Sequence, residues 1–172
     1  MEISIRPSRS DDGLAIQDIE RLAGQRFRDI GLDRVADDEP ETLTTLAHYA
    51  TTGRGWVAVT DADEPVGYII ADDVDGNAHI EQMSVQPDRQ GTGVGRALLD
   101  RARRWAIEQG KTAITLTTFA DVPWNRPLYE HLRFRVLAED EIGPELRAVQ
   151  QREGARGLDP RTRCCMCRDL KT

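Results

Sequence analysis

Several things are missing from this chain, and each absence narrows what it can be. No stretch approaches the roughly 18 consecutive apolar residues that a membrane-spanning helix requires. The opening residues, Met1-Glu2-Ile3-Ser4-Ile5-Arg6, lack the basic start and apolar core of a secretory signal. The expected location is cytoplasmic, with no membrane partner. Cysteine is confined to Cys164, Cys165 and Cys167, an odd number in one short segment, which excludes a disulfide framework. Cys-Cys-Met-Cys also lacks a nearby fourth ligand, so a buried terminal strand is expected there rather than a soft metal site, and no metal is expected. Lys and Arg number 23 against 30 Asp and Glu, for a net charge of −7. That balance argues against nucleic acid as a partner, because phosphate neutralisation needs clustered cations. It is compatible with a cationic small substrate.

A chain of 172 residues suffices for one domain, which at this size buries roughly 70% of its extended-chain surface. Residues 1–172 read as a single α/β domain, with hairpins early and crossovers late. Alternation predicts strands at 3–5, 56–59, 66–70, 78–85, 113–118, 134–137 and 163–170. Helical spacing predicts helices from an N-cap in Ser10-Asp11-Asp12 onward, then at 41–50, 93–109, 123–132 and 142–153. Val94, Leu98, Ala102 and either Trp105 or Ala106 form one apolar stripe on the third of these. Residues 142–158 form a helical insertion before the last strand. The acidic turns Asp61-Ala62-Asp63-Glu64 and Asp72-Asp73-Val74-Asp75-Gly76-Asn77 read as solvated hairpin tips, since EF-hand spacing is absent.

The most informative segment is Gln90-Gly91-Thr92-Gly93-Val94-Gly95-Arg96. Alternating glycines at a helix start let backbone N–H groups converge where the helix dipole favours an anion, so a phosphate-bearing cofactor is expected. The dinucleotide spacing fails: counting from Gly91 and Gly93, the third glycine slot holds Arg96, and Lys111 and Thr112 stand where an acidic residue belongs. A Walker loop fails as well, because the chain has no Gly-Lys-Ser or Gly-Lys-Thr.

The stretch from Met83 to Leu99 resembles motif A of the GNAT (Gcn5-related N-acetyltransferase) superfamily, with Gln90, Gly93 and Gly95 in its defining positions. Pro127-Leu128-Tyr129-Glu130-His131-Leu132-Arg133-Phe134 resembles that family's Leu-Tyr-Glu-x-x-Gly-Phe segment, about 35 residues downstream. The resemblance implies an α/β fold with a mixed central sheet of about seven strands, flanked by helices and with a splayed central strand pair. It implies an N-acetyltransferase that moves an acetyl group from acetyl-CoA to a primary amine of a small molecule by direct attack. Two alternatives stand beside it: a protein N-terminal or lysine acetyltransferase, and a non-catalytic acyl-CoA-binding sensor.

The resemblance also assigns residues. Amides of Gly91, Thr92, Gly93, Val94, Gly95 and Arg96, with Gln90, would hold the cofactor pyrophosphate. The backbone of Met83, Ser84 and Val85 would pair with the pantetheine arm, and an amide near Val85 would polarise the thioester carbonyl. The plainer reading of Met83 and Val85 is core packing of their side chains. Tyr129 stands at the family's general-acid position, or packs as a helix aromatic under the cofactor. Glu81 is the expected base, against a purely structural ion pair, with His79 the runner-up. The family's Asn falls here on Val122, so Asn125 either contacts the cofactor or N-caps its helix. Arg133 replaces the usual Gly before Phe134, so a slightly altered turn is expected. The acceptor would lie near the carboxylate-rich connection from Gly31 to Glu39, which suits a cationic amine if it is not simply solvated. Trp124 would wall that pocket or cap the core, and the insertion would narrow it. Family members are often homodimers.

Overall fold

The computed structural model of the protein describes residues 2–171. Seven strands occur, β1 (Ser4–Pro7), β2 (Gly55–Val59), β3 (Pro65–Val74), β4 (Asn77–Val85), β5 (Ala113–Phe119), β6 (Arg135–Val136) and β7 (Arg163–Asp169). They form one sheet in the order β1-β2-β3-β4-β5-β7-β6. The α-helices are α1 (Gly13–Gly24), α2 (Asp33–Ala36), α3 (Leu43–Thr51), α4 (Val94–Glu108), α5 (Arg126–His131) and α6 (Pro144–Ala155). β1 with β2, β2 with β3, β5 with β7 and β6 with β7 are antiparallel, whereas β4 and β5 are parallel. A parallel pair needs a long crossover, and α4 supplies it.

The β4–β5 register runs Ala78↔Ile114, His79↔Thr115 and Ile80↔Leu116 and then stops, although β4 continues to Val85 and β5 to Phe119. This is the splayed pair expected above. Past Ile80 the β4 backbone has left the β5 ladder.

The chain divides into two compact units, one of residues up to 71 together with 82–102, the other of 72–81 together with residues from 103 on. In the first, Ile16 and Ile19 of α1 and Leu46 and Tyr49 of α3 meet Val57 and Val59 of β2 and Tyr68 and Ile70 of β3. Helical i, i+3 spacing supplies one surface and strand alternation the other. Gly67 lets α4 approach β3: a Cβ there would lie 3.2–3.3 Å from Leu98 Cδ1, Ser84 O and Val94 Cγ1. Thr42 caps α3 by accepting from the Thr45 N–H at 3.1 Å.

Two expectations are corrected in this unit. Ser10–Asp12 forms a 3-10 turn, and Asp12 takes the expected N-cap position of α1 but makes no side-chain cap there. Its carboxylate instead accepts from the Arg9 N–H at 2.7 Å and from Arg6 at 2.8 and 3.0 Å. Burial pushes this carboxyl up, but the bonds from Arg6 and Arg9 outweigh it and hold it below its usual value. The tip at Asp61–Glu64 is likewise more than solvated. Asp63 has φ of 61° and accepts from Arg6 at 2.7 Å and Arg9 at 2.8 Å. The connection beyond α1 also carries more structure than its polarity suggested, a 3-10 segment (Gln25–Ile30) and then α2.

In the second unit, Leu146 and Val149 of α6 pack with Val74 and Cys165, and with Leu137 and Ile142. β3 runs on through Asp72 and Asp73 to Val74 because the reversal is a two-residue turn, with φ of 52° at Asp75 and 75° at Gly76. That second tip is also not merely solvated. Asp75 reaches the start of α6, where its oxygens accept the N–H groups of Glu145 at 3.0 Å and Leu146 at 2.9 Å. The Glu145 carboxylate answers by accepting the Asp75 N–H. Gly143 makes room, since a Cβ there would fall 2.4 Å from Asp75 Oδ2. The cysteine segment is the buried strand expected, with Cys165 and Cys167 buried and burial pushing the Cys165 thiol up to about 12.

Candidate active site

β4 ends at Val85, a 3-10 turn (Pro87–Arg89) follows, and α4 begins at Val94. Between them Gly91 has φ of +74° and Gly93 φ of +93°, and a Cβ added at either would meet no heavy atom within 4 Å among the described residues. The glycines therefore answer the left-handed backbone, not crowding. Thr92 Oγ1 donates to Arg89 O at 2.5 Å. Gly95 is different: it sits in the helix, where a Cβ would make ordinary contact with Val85 Cγ2 at 3.8 Å and Met83 Cε at 3.9 Å. Residues 91–93 are exposed while Val94 is buried, so the loop is open above a firmly seated helix start. First-turn N–H groups have no acceptor within their own helix, and the dipole places partial positive charge there. A bare glycine surface over such a helix start fits a pyrophosphate.

Gln90 acts inward. Its Oε1 accepts from Arg26 at 2.8 Å and its Nε2 donates to Val85 O at 3.1 Å. Burial holds the Arg26 guanidinium below its usual value. The side chain thus fixes the loop to the end of β4.

Along β4, Met83 and Val85 face Gly95 of α4, which supports the packing reading of their side chains. On the other face, Gln82 Nε2 lies 3.4 Å from Glu20 Oε1 and 3.4 Å from Ser84 Oγ. Tyr68, fully buried, donates its hydroxyl to Glu20 Oε2 at 2.8 Å. Glu20 did not figure among the expected site residues. The readable signal was its place four residues after Ile16 and next to Ile19, at the margin of the buried face of α1.

In the second unit His79 is 1% exposed, and its Nδ1 lies 3.0 Å from Thr115 Oγ1. Burial pushes its pKa down to about 4, with Glu153 and Asp72 opposing. The ring is neutral at pH 7. Its Nε2 stands 3.9 Å from Glu81 Oε2, beyond a direct hydrogen bond, and the Glu81 side chain is partly exposed at 27%. Thr117 of β5 donates to the Glu153 carboxylate. Arg163 bridges the same pair, at 3.2 Å to Glu153 and 3.1 Å to Thr117, with its guanidinium 4.7 Å above the Phe119 ring. Glu153 and Arg163 were also not anticipated. Glu153 extends the Leu146 and Val149 stripe by four residues, an acidic side chain on an apolar face.

Tyr129 lies on α5, partly buried, with burial pushing its phenol up to about 12. Its ring meets Phe134 edge-on at 5.7 Å between centroids. Asn125 holds the N-cap position of α5 without a side-chain cap, and its carbonyl accepts the Tyr129 N–H at 3.1 Å. The capping alternative for its side chain therefore fails. The altered turn expected at Arg133 is absent too: Arg133 itself takes the left-handed conformation, with φ of 70°.

The chain is similar in sequence and fold to known proteins. The model of the Acetyltransferase (GNAT) family matches residues 16–134. The peptidyl-lysine N-acetyltransferase YjaB of Salmonella typhimurium is 32% identical over 102 residues, 59% of this chain and 66% of that protein. YjaB of Escherichia coli is 30% identical over 147 residues, 83% of this chain and 88% of that protein. Among solved structures, the PaiA N-acetyltransferase of Thermoplasma acidophilum in complex with coenzyme A superposes with a TM-score of 0.72 at 14% identity, covering 98% of this chain and 99% of that one. The chain belongs to the GNAT family of acetyltransferases. It is an N-acetyltransferase, an acyltransferase by reaction class.

Proposed function

We propose that the protein transfers the acetyl group of acetyl-CoA to a primary amine, with a lysine ε-amine of a peptide as the leading acceptor. The observation that carries the donor is the open left-handed loop at Gly91 and Gly93 set on the start of α4. Amides from Gly91 to Arg96 would bind the pyrophosphate. The β4 backbone from Met83 to Val85 would pair with the pantetheine arm, and an amide near Val85 would polarise the thioester carbonyl. The acceptor class follows the relatives, which are named for peptidyl-lysine.

An ammonium has no lone pair, so Glu81 takes its proton, through water or directly. The amine nitrogen then attacks the thioester carbon, the C–S bond breaks with its electron pair on sulfur, and the proton that the nitrogen sheds to become an amide ends on that sulfur as the CoA thiol, by way of the Tyr129 hydroxyl. Tyr129 donates a hydrogen bond to that sulfur, its phenol being held protonated up to about 12. Asn125 assists at the cofactor from the start of α5. A small cationic amine is the second reading, favoured by the exposed Asp33, Asp38 and Glu39 between α1 and α3.

The test is CoA-thiol release from acetyl-CoA over a panel of Nα-blocked lysine peptides, free N-terminal peptides, polyamines and aminosugars, with acetylated product identified by mass. Turnover concentrated in the lysine peptides supports the leading acceptor, and turnover concentrated in polyamines or aminosugars replaces it with the second. Acetyl-CoA binding without amine-dependent thiol release would sink the enzymatic reading.

A further inference from the structure

We propose that His79 is a positioning residue for acetyl transfer: its buried imidazole presents an Nε2–H to the Glu81 carboxylate and aims that carboxylate as the base. This rests on the reading above that Glu81 takes the amine proton. Both side chains stand on one face of β4, two residues apart, within the second unit. The ring is fixed from the neighbouring strand. Thr115 is the register partner of His79 on β5, is itself buried, and holds Nδ1 at 3.0 Å through its Oγ1. Nε2 then faces Glu81, 3.9 Å from Oε2.

A neutral imidazole carries one N–H and one lone pair, and its partners decide which nitrogen has which. The Thr115 hydroxyl gives or takes a hydrogen bond, whereas a carboxylate only accepts. The arrangement that satisfies both sides puts the proton on Nε2 and has Thr115 donate to Nδ1. Glu81 has two oxygens with about four acceptor sites, so its other interactions leave room for this one. Hydrogen bonds at catalytic sites are often long before the substrate complex forms, and the Glu81 side chain, 27% exposed, can rotate to close the gap. The ring does not meet an amine itself, being 1% exposed. Its charged surroundings are Glu81 on its own strand, Asp72 of β3, and Glu153 and Arg152 of α6. Burial outweighs Glu153 and Asp72 and brings the ring down to about 4, so it stays uncharged near neutral pH. A neutral donor orients the carboxylate without the full positive charge that would strip its basicity.

A His79 that merely fills the core predicts something different. His79→Leu removes the donor, whereas His79→Gln keeps an oxygen for Thr115 and an N–H for Glu81. The readout is CoA-thiol release with Nα-acetyl-lysine amide as acceptor. His79→Leu should lower kcat at least about tenfold with KM for both substrates within about threefold, and His79→Gln should recover most of that loss. In a Glu81→Gln background the same His79→Leu change should cost less than about twofold more, because its effect runs through Glu81. A loss of about tenfold that persists without the Glu81 carboxylate overturns the proposal. So does a folded His79→Leu variant with wild-type kcat. NMR of protein labelled at the histidine ring nitrogens decides the pairing without a substitution in the core. Near neutral pH His79 should carry its proton on Nε2, and that signal should move in Glu81→Gln. A proton on Nδ1, or an Nε2 signal indifferent to Glu81→Gln, overturns the proposal. Wild-type protein that transfers no acetyl group to the probe would count against the enzymatic reading, and full turnover by Glu81→Gln against Glu81 as the base. In either case the NMR comparison still decides whether the ring donates to Glu81.

Discussion

The Phe134 N–H donates to the Tyr129 carbonyl at 2.9 Å, and the two rings meet edge-on at an interplanar angle of 70°. One backbone bond and one ring contact thus hold Tyr129 at the end of α5, across a reversal made by Arg133 in the left-handed conformation. Side-chain packing and chain reversal act on the same residue.

That reversal is strained, because a left-handed non-glycine residue costs on the order of 1 kcal/mol. Arg133→Gly should therefore stabilise the protein by no more than about 0.6 kcal/mol, after the extra freedom of glycine in the unfolded chain is subtracted. Urea unfolding should show a higher midpoint with unchanged slope. A lower midpoint would mean that the Arg133 side chain contributes more than its backbone costs.

Tyr129→Phe removes one hydroxyl and leaves the ring contact with Phe134 in place. Turnover should fall about 10²-fold, the lower end of what an acid or base group supplies. Acetyl-CoA affinity and Tm should stay near wild type. Since burial holds the phenol up to about 12, wild-type rates should show no alkaline decline from this group below about pH 10. Full turnover by the Phe variant would remove Tyr129 from the chemistry.

His79 makes stability depend on pH. Its pKa falls from 6.5 unfolded to about 4 in the fold, so the unfolded chain binds the extra proton between those values. The stabilisation is complete above about pH 6.5 and is lost as pH drops toward about 4, on the order of 3 kcal/mol in total. Urea midpoints between pH 7.5 and 4.5 should decline for wild type and be much flatter for His79→Gln. Equal slopes would show that other groups carry the acid sensitivity.

Asp75 supplies α6 with a cap from a distant hairpin. Asp75→Ala should cost about 1–2 kcal/mol, combining the lost cap with a left-handed alanine. Asp75→Asn, which tolerates that backbone and still accepts hydrogen bonds, should cost much less. Amide exchange at Glu145 and Leu146 should quicken in the Ala variant, and unchanged exchange there would place the cap elsewhere.

Local rules made part of this molecule legible in advance. Left-handed backbone demands glycine, so Gly91 and Gly93 announced the loop, and apolar spacing of three and four announced α4 and α6. The length of β3 was not legible, because Asp72 and Asp73 read as turn residues although the strand passes through them to Val74, just before the turn at Asp75 and Gly76. The second half of the α1–α3 connection escaped for the opposite reason: a short run of acidic residues concealed the helical turn of α2. Glu20 and Glu153 are defined by partners 62 and 36 positions away, Gln82 and Thr117. No local pattern encodes such pairs; only the folded sheet creates them.

Gln90 carries a last consequence. Its amide spends its acceptor on Arg26 and its donor on Val85, so few side chains can replace it: a carboxylate has no donor for Val85, and a lysine has no acceptor for Arg26. Loss of this residue would act on donor affinity through disorder. A freed loop must be ordered again at each binding event, and that entropic cost would appear as weaker binding with every direct ligand contact still available.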